Sequence, residues 1–339
     1  MMRSGKEIEK LFEAFNHLNV LVVGDVMIDA YLWGKVERMS PEAPVPIVSV
    51  HQRESLLGGA ANVALNLKAL GANPILCSVI GTDARGDEFM HLLEKESLDT
   101  SGICRSNERI TTTKFRVIVN NAQILRVDEE IDTEINPADT TKLLEIVAQI
   151  LEQSGAAVII LQDYNKGVLT AQSISRLIDI AHKMNIPVAA DPKKANFDTY
   201  RGIALFKPNL KELCEGLRMN IEPGNTSQLL SAINQLHENQ SIETVLTTLS
   251  ELGVVISRHK ESEPREVISL PAHLRSINDV SGAGDTVISV ASLCLVLGTS
   301  LHELATIANL AGGLVCEHVG VVPINKEKLL AETLALANR

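Results

Sequence analysis

One stretch near the C-terminal end of the chain combines small residues with an acidic side chain in a spacing that suits phosphate chemistry. It contains Gly282-Ala283-Gly284-Asp285 and precedes an apolar, helical run from Val287 to Leu297. Small residues let backbone N–H groups converge on an anion, and the helix adds the positive end of its dipole. We expect Asp285 to be ionised beside this pocket and to accept a proton from an attacking hydroxyl. An anion pocket with an adjacent base is the minimum apparatus for transferring a phosphoryl group to an alcohol.

An ordinary helix N-terminus also uses glycine and aspartate, so this stretch alone leaves the two interpretations equal. A second cluster, Gly58-Gly59-Ala60-Ala61-Asn62, opens another predicted helix, Gly58–Leu70. Its glycines would let a ligand approach the backbone, and the Asn62 amide can both donate to and accept from hydroxyls. The chain contains neither the P-loop pattern nor the dinucleotide pattern after a first strand, so the common phosphate motifs are absent.

Acidic residues follow the first predicted strand, Asn19–Val23. Ligands of α/β proteins bind at the carboxyl ends of parallel strands, so Asp25 and Asp29 are candidates for holding hydroxyl groups. For Asp29 we prefer this role to that of a solvated loop residue, whereas for Asp25 the two are equal.

From residue 137 onward, predicted helices and strands alternate, which indicates an α/β fold with a doubly wound, mostly parallel sheet. Polar residues follow three successive strands, and their grouping at one sheet edge favours a ligand site over turn chemistry. These strand ends are Asp163-Tyr164-Asn165-Lys166-Gly167, Asp191-Pro192-Lys193 and Lys207-Pro208-Asn209-Leu210-Lys211-Glu212. Their acidic members suit water-mediated contacts to Mg²⁺, and their basic members suit phosphate.

In two segments, about 31–52 and 111–128, the residue pattern differs from the rest of the chain and predicts short strands that leave the main sheet. We expect them to form a small β-sheet lid on a single domain spanning residues 1–339. A lid of this kind excludes water, which competes with an alcohol for the phosphoryl group. Open apolar sheet faces seldom stay bare, so we expect a homodimer through the lid.

Composition excludes several classes of protein. The 339 residues carry a formal net charge of -11 without basic blocks, which argues against a nucleic-acid partner. No apolar run is long enough to predict a membrane span or a signal peptide. The five cysteines form no C-x-x-C pair and the histidines form no zinc motif, so we expect reduced thiols in a cytoplasmic protein.

Taken together, the early Gly58–Asn62 cluster and the late Asp279-x-x-Gly282-Ala283-Gly284-Asp285 motif resemble the paired signatures of the PfkB (ribokinase-like) sugar kinases. The resemblance covers roughly residues 19–325. The chain is most similar to the branch of bacterial heptose-7-phosphate kinases, through further motifs that run the length of the chain. These are Gly24-Asp25-Val26-Met27-Ile28-Asp29, Ser40–Pro46, Thr113-Lys114-x-Arg116, Leu125-Arg126-x-Asp128, Asp163-Tyr164-x-Lys166-Gly167, Asp191-Pro192-Lys193 and Pro208-Asn209-Leu210.

The resemblance implies a role for each matching residue. Asp285 matches the catalytic base, and Gly282, Ala283 and Gly284 match the anion hole. The implied sugar contacts are Asp29, Gly58, Gly59 and Asn62, with Lys114, Arg116, Arg126 and Lys166 as candidates for holding a substrate phosphate. The implied nucleotide contacts are Asn209, Lys211, Glu212, Thr248, Gly253 and Asn309, with Glu212 and Asp191 acting on Mg²⁺ through water. Leu249, Gln162 and Asn165 depart from the residues expected in this branch.

The activity implied is ATP-dependent phosphorylation of the anomeric hydroxyl of D-glycero-D-manno-heptose 7-phosphate, a step toward ADP-heptose and the lipopolysaccharide core. In that branch the kinase is often fused to an adenylyltransferase, whose H-x-G-H motif is absent here, so the resemblance implies the kinase alone. The implied ligands are a sugar phosphate, ATP and Mg²⁺, and dependence on a monovalent cation such as K⁺ stays open.

Three alternatives stay open. The first is another PfkB substrate, such as a fructose phosphate, ribose or a nucleoside. The second is a non-catalytic module that senses a nucleotide or sugar, against which the intact base motif argues. The third is an oxidoreductase, which the missing dinucleotide motif disfavours.

Overall fold

The computed structural model describes residues 2–120, 122–260, 264–273 and 275–338, so Asn121 of the second predicted lid segment lies outside the described residues. Within the described residues there are ten α-helices: α1 (Gly5–Ala14), α2 (Ala60–Ala69), α3 (Ala84–Lys95), α4 (Pro137–Ser154), α5 (Ala171–Lys183), α6 (Leu210–Leu217), α7 (Thr226–Gln240), α8 (Ala283–Val296), α9 (Leu301–Val315) and α10 (Lys326–Ala337). The strands of the same residues are β1 (Asn19–Gly24), β2 (Val26–Met39), β3 (Pro46–Gly59), β4 (Asn73–Gly81), β5 (Ile103–Ser106), β6 (Thr113–Val119), β7 (Ala122–Glu129), β8 (Val158–Gln162), β9 (Val188–Asp191), β10 (Leu205–Phe206), β11 (Thr244–Thr248), β12 (Val254–Arg258) and β13 (Glu266–Leu270).

Nine strands form one large sheet in the order β13-β12-β11-β10-β9-β8-β1-β4-β5. Along this order from β11 to β5, each strand is parallel to the next. At the other edge, β12 and β13 are antiparallel. The prediction of a doubly wound, mostly parallel sheet is therefore confirmed.

Each face of this sheet carries its own apolar core. In β1, Val20 and Val22 pack into one core while Leu21 and Val23 pack into the other. Helices α2, α8 and α9 contribute to the first core, and α4, α5 and α7 contribute to the second. Because both faces are covered, the central strands are continuous apolar runs and not alternating ones. Among the described residues, no helix has the length and apolar character needed to cross a bilayer.

A second sheet of four strands has the order β3-β2-β6-β7. Strands β2 and β3 are antiparallel, as are β6 and β7, whereas β2 and β6 are parallel. The prediction of short strands was wrong for β2 and β3, which have 14 residues each. They form one long hairpin, because their backbone pairing continues across two register shifts.

The start of α2 also differs from the prediction. Gly58 and Gly59 are the last residues of β3, and the helix begins at Ala60. Gly59 has a φ of 62°, which residues with a side chain rarely adopt, and a Cβ there would lie 2.4 Å from the backbone oxygen of Asp25. Glycine is therefore required where the chain turns from the second sheet into the helix.

Candidate active site

Asp285 lies in the first turn of α8 and its side chain is buried. The helix begins after Gly282, whose φ of 79° is left-handed, and a Cβ on this glycine would lie 2.8 Å from Nδ2 of Asn62. The N–H groups of Gly284 and Asp285 have no acceptor within the helix, because they belong to its first turn. Within the part of the chain that the structure describes, a buried carboxyl group is thus combined with free amides at a helix N-terminus.

Three donors hold the Asp285 carboxyl group, one from α2, one from the end of β8 and one from the loop after β8. Asn62 Nδ2 donates to Oδ2 at 2.7 Å. Tyr164 Oη donates to Oδ1 at 2.7 Å, and Gln162 Nε2 donates to the same oxygen at 3.1 Å. Two donors therefore occupy Oδ1, whereas Oδ2 has one donor and keeps acceptor capacity for a further hydroxyl.

Burial raises the pKa of Asp285 to about 7, against the lowering effect of hydrogen bonds from Asn62 and Tyr164. The nearby Asp191 carboxylate also raises this pKa, and Lys207 lowers it. The expectation of an ordinary ionised carboxylate was therefore too simple. A group with a pKa near neutrality suits a general base, because it is available at working pH and still holds a proton well.

A buried ion pair lies beside the helix N-terminus. Lys207, just after β10, lies 2.9 Å from Asp191 Oδ2 at the end of β9. A Cβ on Gly284 would lie 3.4 Å from Nζ of Lys207, so this glycine faces the ion pair. Gln162 Nε2 also donates to Asp191 Oδ2 at 3.1 Å and thus joins the ion pair to Asp285.

Sequence reasoning placed Tyr164 in a polar strand end that favours a ligand site and named Gln162 only as a departure from the branch, and it gave neither residue a specific role. The available signal was their position at the end of β8, at the same sheet edge as Asp191 and Lys207. Their contacts with Asp285 span more than 100 residues of chain, and no local pattern predicts them.

Asp25 has a structural role. Its buried carboxylate accepts hydrogen bonds from the backbone N–H groups of Tyr164, Lys166 and Val168 at 2.8, 3.1 and 2.9 Å. Burial raises the pKa of Asp25 to about 6, with the Asp163 carboxylate as a second cause. The carboxylate thus holds the loop after β8, and the proposed contact with a ligand hydroxyl is not needed to explain it.

Asp29 lies in β2, where the second sheet approaches the first. Arg116 of β6 forms a salt bridge with its carboxylate. A Cβ on Gly58 would lie 2.5 Å from Asp29 Oδ2. The chain passes from Gly58 and Gly59 at the end of β3 directly into α2, where Asn62 donates to Asp285. This connection therefore joins the surroundings of Asp29 to those of Asp285.

Lys114, Arg126 and Lys166 form a cluster with two carboxylates, Asp128 and Glu130, which we call the cation cluster. Lys114 lies 2.8 Å from Asp128 and 2.9 Å from Glu130. Arg126 lies 3.0 Å from Asp128, and Lys166 lies 2.8 Å from Glu130. The structure therefore brings these three predicted phosphate ligands together, each already paired with a carboxylate.

The predicted nucleotide residues are more dispersed. Asn209 and Glu212 cap α6 reciprocally, with backbone-to-side-chain hydrogen bonds of 2.8 and 2.9 Å. Glu212 also pairs with Lys193, whereas Lys211 is exposed and lies 3.9 Å from Glu215.

The other three predicted nucleotide residues lie farther along the chain. Thr248 ends β11 and forms an isolated bridge with Asn209. Gly253 precedes β12, and a Cβ there would lie 2.1 Å from the Leu270 oxygen. Asn309 in α9 donates to the Pro271 oxygen at 2.9 Å.

The acidic residues that the structure describes do not form a direct metal cage. Among the described residues, no group of three histidine, cysteine or acidic side chains is arranged to hold an ion. Asp191 and Glu212 each pair with a lysine. This arrangement fits a cation held mainly by nucleotide phosphates and water, with these carboxylates contacting its waters.

Comparison with known proteins identifies the family. The family model described as "pfkB family carbohydrate kinase" matches residues 17–328. The bifunctional protein HldE of Geotalea uraniireducens is 38% identical over 327 residues, which cover 96% of this chain and 65% of the relative. HldE of Helicobacter acinonychis is 40% identical over 310 residues, with 91% and 65% covered. The chain thus spans about two-thirds of the length of these relatives.

Solved structures share the fold. Phosphofructokinase-2 from Escherichia coli, in complex with potassium, superposes with a TM-score of 0.75 at 20% identity, covering 95% of this chain and 99% of that one. Arabidopsis thaliana ribokinase, complexed with ribose and ATP, superposes with a TM-score of 0.70 at 19% identity, covering 94% and 98%. With the family model matching nearly the whole sequence, the chain belongs to the pfkB family of carbohydrate kinases and is a phosphotransferase with an alcohol group as acceptor.

Proposed function

We propose that this kinase uses ATP to phosphorylate the anomeric hydroxyl of D-glycero-D-manno-heptose 7-phosphate, which yields the 1,7-bisphosphate. The observation that carries the proposal is the cation cluster. A plain sugar or nucleoside has no need of three grouped cations, whereas a sugar that already carries a phosphate does. The motifs shared with heptose-7-phosphate kinases and the 38% and 40% identity to the two HldE proteins support the same choice of substrate.

In this proposal the sugar lies between the second sheet and α2, with Asp29 and Asn62 contacting its hydroxyl groups. Oδ2 of Asp285 accepts the proton of the anomeric hydroxyl as that oxygen attacks the γ-phosphorus of ATP. The bond from the γ-phosphorus to the bridging oxygen of ADP breaks, and ADP leaves. The amides at the N-terminus of α8, among them those of Gly284 and Asp285, stabilise charge on the group in transfer, and Lys207 beside Gly284 adds a positive charge.

The nucleotide lies along the carboxyl edge of the large sheet, with its adenine near residues 247–257 and 309–316. Family membership implies ATP with Mg²⁺, which neutralises phosphate charge, and Asp191 and Glu212 would hold its water ligands. Potassium is present in the phosphofructokinase-2 structure, and titrating K⁺ against Na⁺ in the turnover assay tests for the same dependence here.

The four-stranded sheet acts as a lid in this proposal, and the chain works as one kinase domain. Asp29, Gly58, Lys114 and Arg116 all lie on strands of this sheet, which supports its role as the sugar-binding wall. Closing such a wall over the sugar keeps water away from the γ-phosphate.

The test is ATP consumption with heptose 7-phosphate, unphosphorylated heptose, fructose 6-phosphate, ribose and adenosine. We expect strong turnover with heptose 7-phosphate alone and loss of nearly all turnover in Asp285→Asn, with ATP affinity within a few-fold of wild type. Preferred turnover of another panel member would keep the kinase and reject heptose 7-phosphate. Wild-type turnover in Asp285→Asn would reject the base.

A further inference from the structure

Glu130 occupies a position that the proposed reaction does not yet explain. It follows β7 directly, and its two carboxylate oxygens contact different elements. Oε2 accepts from Lys114 of the second sheet at 2.9 Å, and Oε1 accepts from Lys166 of the loop after β8 at 2.8 Å. Among the described residues, it is the carboxylate that contacts both lysines.

The net charge around Glu130 is positive, which favours binding of an incoming anion. Asp128 already pairs with Arg126 and Lys114, so Glu130 is the second carboxylate for three cations. Burial alone would raise the pKa of Glu130, but hydrogen bonds from Lys166 and Lys114 outweigh it and hold the pKa below its usual value. Glu130 is therefore ionised at neutral pH, and the cluster keeps one net positive charge.

The backbone around this pair is held independently of the Glu130 side chain. The buried Arg109 guanidinium donates to the Thr133 oxygen at 2.9 Å and to the Ile131 oxygen at 3.1 Å. It also donates to the backbone oxygen of Lys166. Because Arg109 links the segment after Glu130 to the segment that carries Lys166, the Lys166 backbone would stay in place if the Glu130 side chain turned away. Lys114 is held separately, by the pairing of β6 with β2 and β7.

We propose that Glu130 is a specificity-determining residue that occupies the phosphate subsite as an internal anion and is displaced by the phosphate of the sugar. The inference rests on the proposed function, because it requires a phosphorylated substrate. A phosphate dianion has more oxygens and more charge than a carboxylate, so it can take both lysines. The Glu130 side chain is partly exposed and can turn to solvent when it is replaced.

Competition from the Glu130 carboxylate lowers the apparent affinity for a phosphorylated sugar, because the sugar binds only the fraction of molecules in which Lys114 and Lys166 are free. Removing the charge of Glu130 should therefore strengthen binding of a phosphorylated sugar. An unphosphorylated sugar brings no anion to the lysines, so its binding should not change.

The test compares Glu130→Gln with Glu129→Gln, a control at the exposed neighbouring position of β7. In Glu130→Gln we expect the KM for heptose 7-phosphate to fall about three- to tenfold, as expected for loss of a partly exposed ion pair, with the KM for ATP unchanged. Calorimetric titration with inorganic phosphate, with a non-hydrolysable ATP analogue filling the nucleotide site, should show the same gain. Glu129→Gln should match wild type in both measurements.

Adding Lys166→Met to Glu130→Gln should erase the gain in phosphate affinity. The proposal is wrong if Glu130→Gln binds phosphate no more tightly than wild type, or if the gain survives loss of Lys166. The phosphate titration requires no turnover, so it tests the role of Glu130 separately from the choice of heptose 7-phosphate as substrate. Tighter phosphate binding without turnover of heptose 7-phosphate would reject that substrate and keep the role of Glu130.

Discussion

The neighbours of Asp285 have opposite effects on the pKa of its carboxyl group. Burial and the Asp191 carboxylate raise its pKa, while Asn62, Tyr164 and Lys207 favour the ionised form, and the result is a pKa of about 7. The protonated carboxyl group cannot accept a proton from a substrate hydroxyl. The balance among these neighbours therefore sets the pH range in which the base can work.

From this balance we predict an acid limb near neutrality in the pH profile. As pH falls through about 7, Asp285 becomes protonated and kcat/KM for the sugar, which reports the free enzyme, should fall, approaching tenfold per pH unit. An aspartate with an ordinary pKa near 3.8 would keep full activity down to about pH 5. Steady-state rates from pH 5 to 9 distinguish the two, and a flat profile across this range would contradict the raised pKa.

Gln162 is the residue that connects the base to the Asp191–Lys207 ion pair. Its Nε2 donates to Asp285 and to Asp191, both at 3.1 Å, while its buried Oε1 has no hydrogen-bond partner among the described residues. Gln162→Leu removes both donors at similar volume and also removes the unpaired oxygen. We predict about a tenfold or larger loss of kcat, as for a misplaced catalytic base, with each KM within a few-fold.

Thermal unfolding provides the check on the Gln162 prediction. Loss of an unpaired buried oxygen offsets loss of the two donors, so the melting temperature should change by only a few degrees. A parallel loss of kcat and of folding would instead mean that Gln162 serves only to maintain the core.

At the level of elements, the site exists because several strands end at one edge. Strands β8, β9 and β10 deliver Gln162, Asp191 and Lys207 to the carboxyl edge of the sheet, and α8 directs its N-terminus toward the same place. The second sheet approaches this edge through β2 and the end of β3, where Gly58 leaves space for Asp29. The sugar side of the site therefore depends on the fit between two sheets.

We predict that Gly58→Ala damages sugar binding more than nucleotide binding. The new Cβ would lie 2.5 Å from Asp29 Oδ2, so Asp29 must move from its salt bridge with Arg116. The KM for the sugar should rise about tenfold or more, as for a displaced polar contact, while the KM for ATP stays within twofold. Gly5→Ala in α1 is the control, because its Cβ would make an ordinary 3.5 Å contact and should change neither constant. Equal increases in both KM values would argue for general distortion.

At the scale of the whole molecule, the second sheet presents exposed apolar side chains to solvent. Val36, Val50, Leu125 and Val127 are among these residues, which come from β2, β3 and β7. A sheet with open edges and exposed apolar residues tends to be covered by another chain. We propose that a second copy of the chain covers it.

The corresponding prediction concerns oligomeric state. Wild type should sediment as a dimer at micromolar concentration, and Leu125→Lys with Val127→Lys should sediment as a monomer, because charge on the covered face is costly to desolvate. Lysine at Met184, an exposed apolar residue of the chain outside this sheet, is the control and should leave the dimer intact. A monomeric wild type would reject the proposal.

The sequence alone determined the fold class, the family and the reaction class. These depend on local patterns: apolar strands alternating with helices, glycine clusters at two helix starts, and an aspartate in the first turn of one of them. Such patterns can be recognised in the sequence because hydrophobic periodicity, glycine conformation and helix capping each depend on only a few neighbouring residues. The roles given to individual site residues stay predictions.

The tertiary structure decided what surrounds those residues. Asn62 meets Asp285 across 223 positions of sequence, and Tyr164 meets it across 121. Such contacts depend on sheet order and strand register, which the chain specifies only through its complete packing. For that reason only the structure shows that Asp25 anchors a loop, that burial raises the pKa of Asp285, and that each cation of the cluster is paired with a carboxylate.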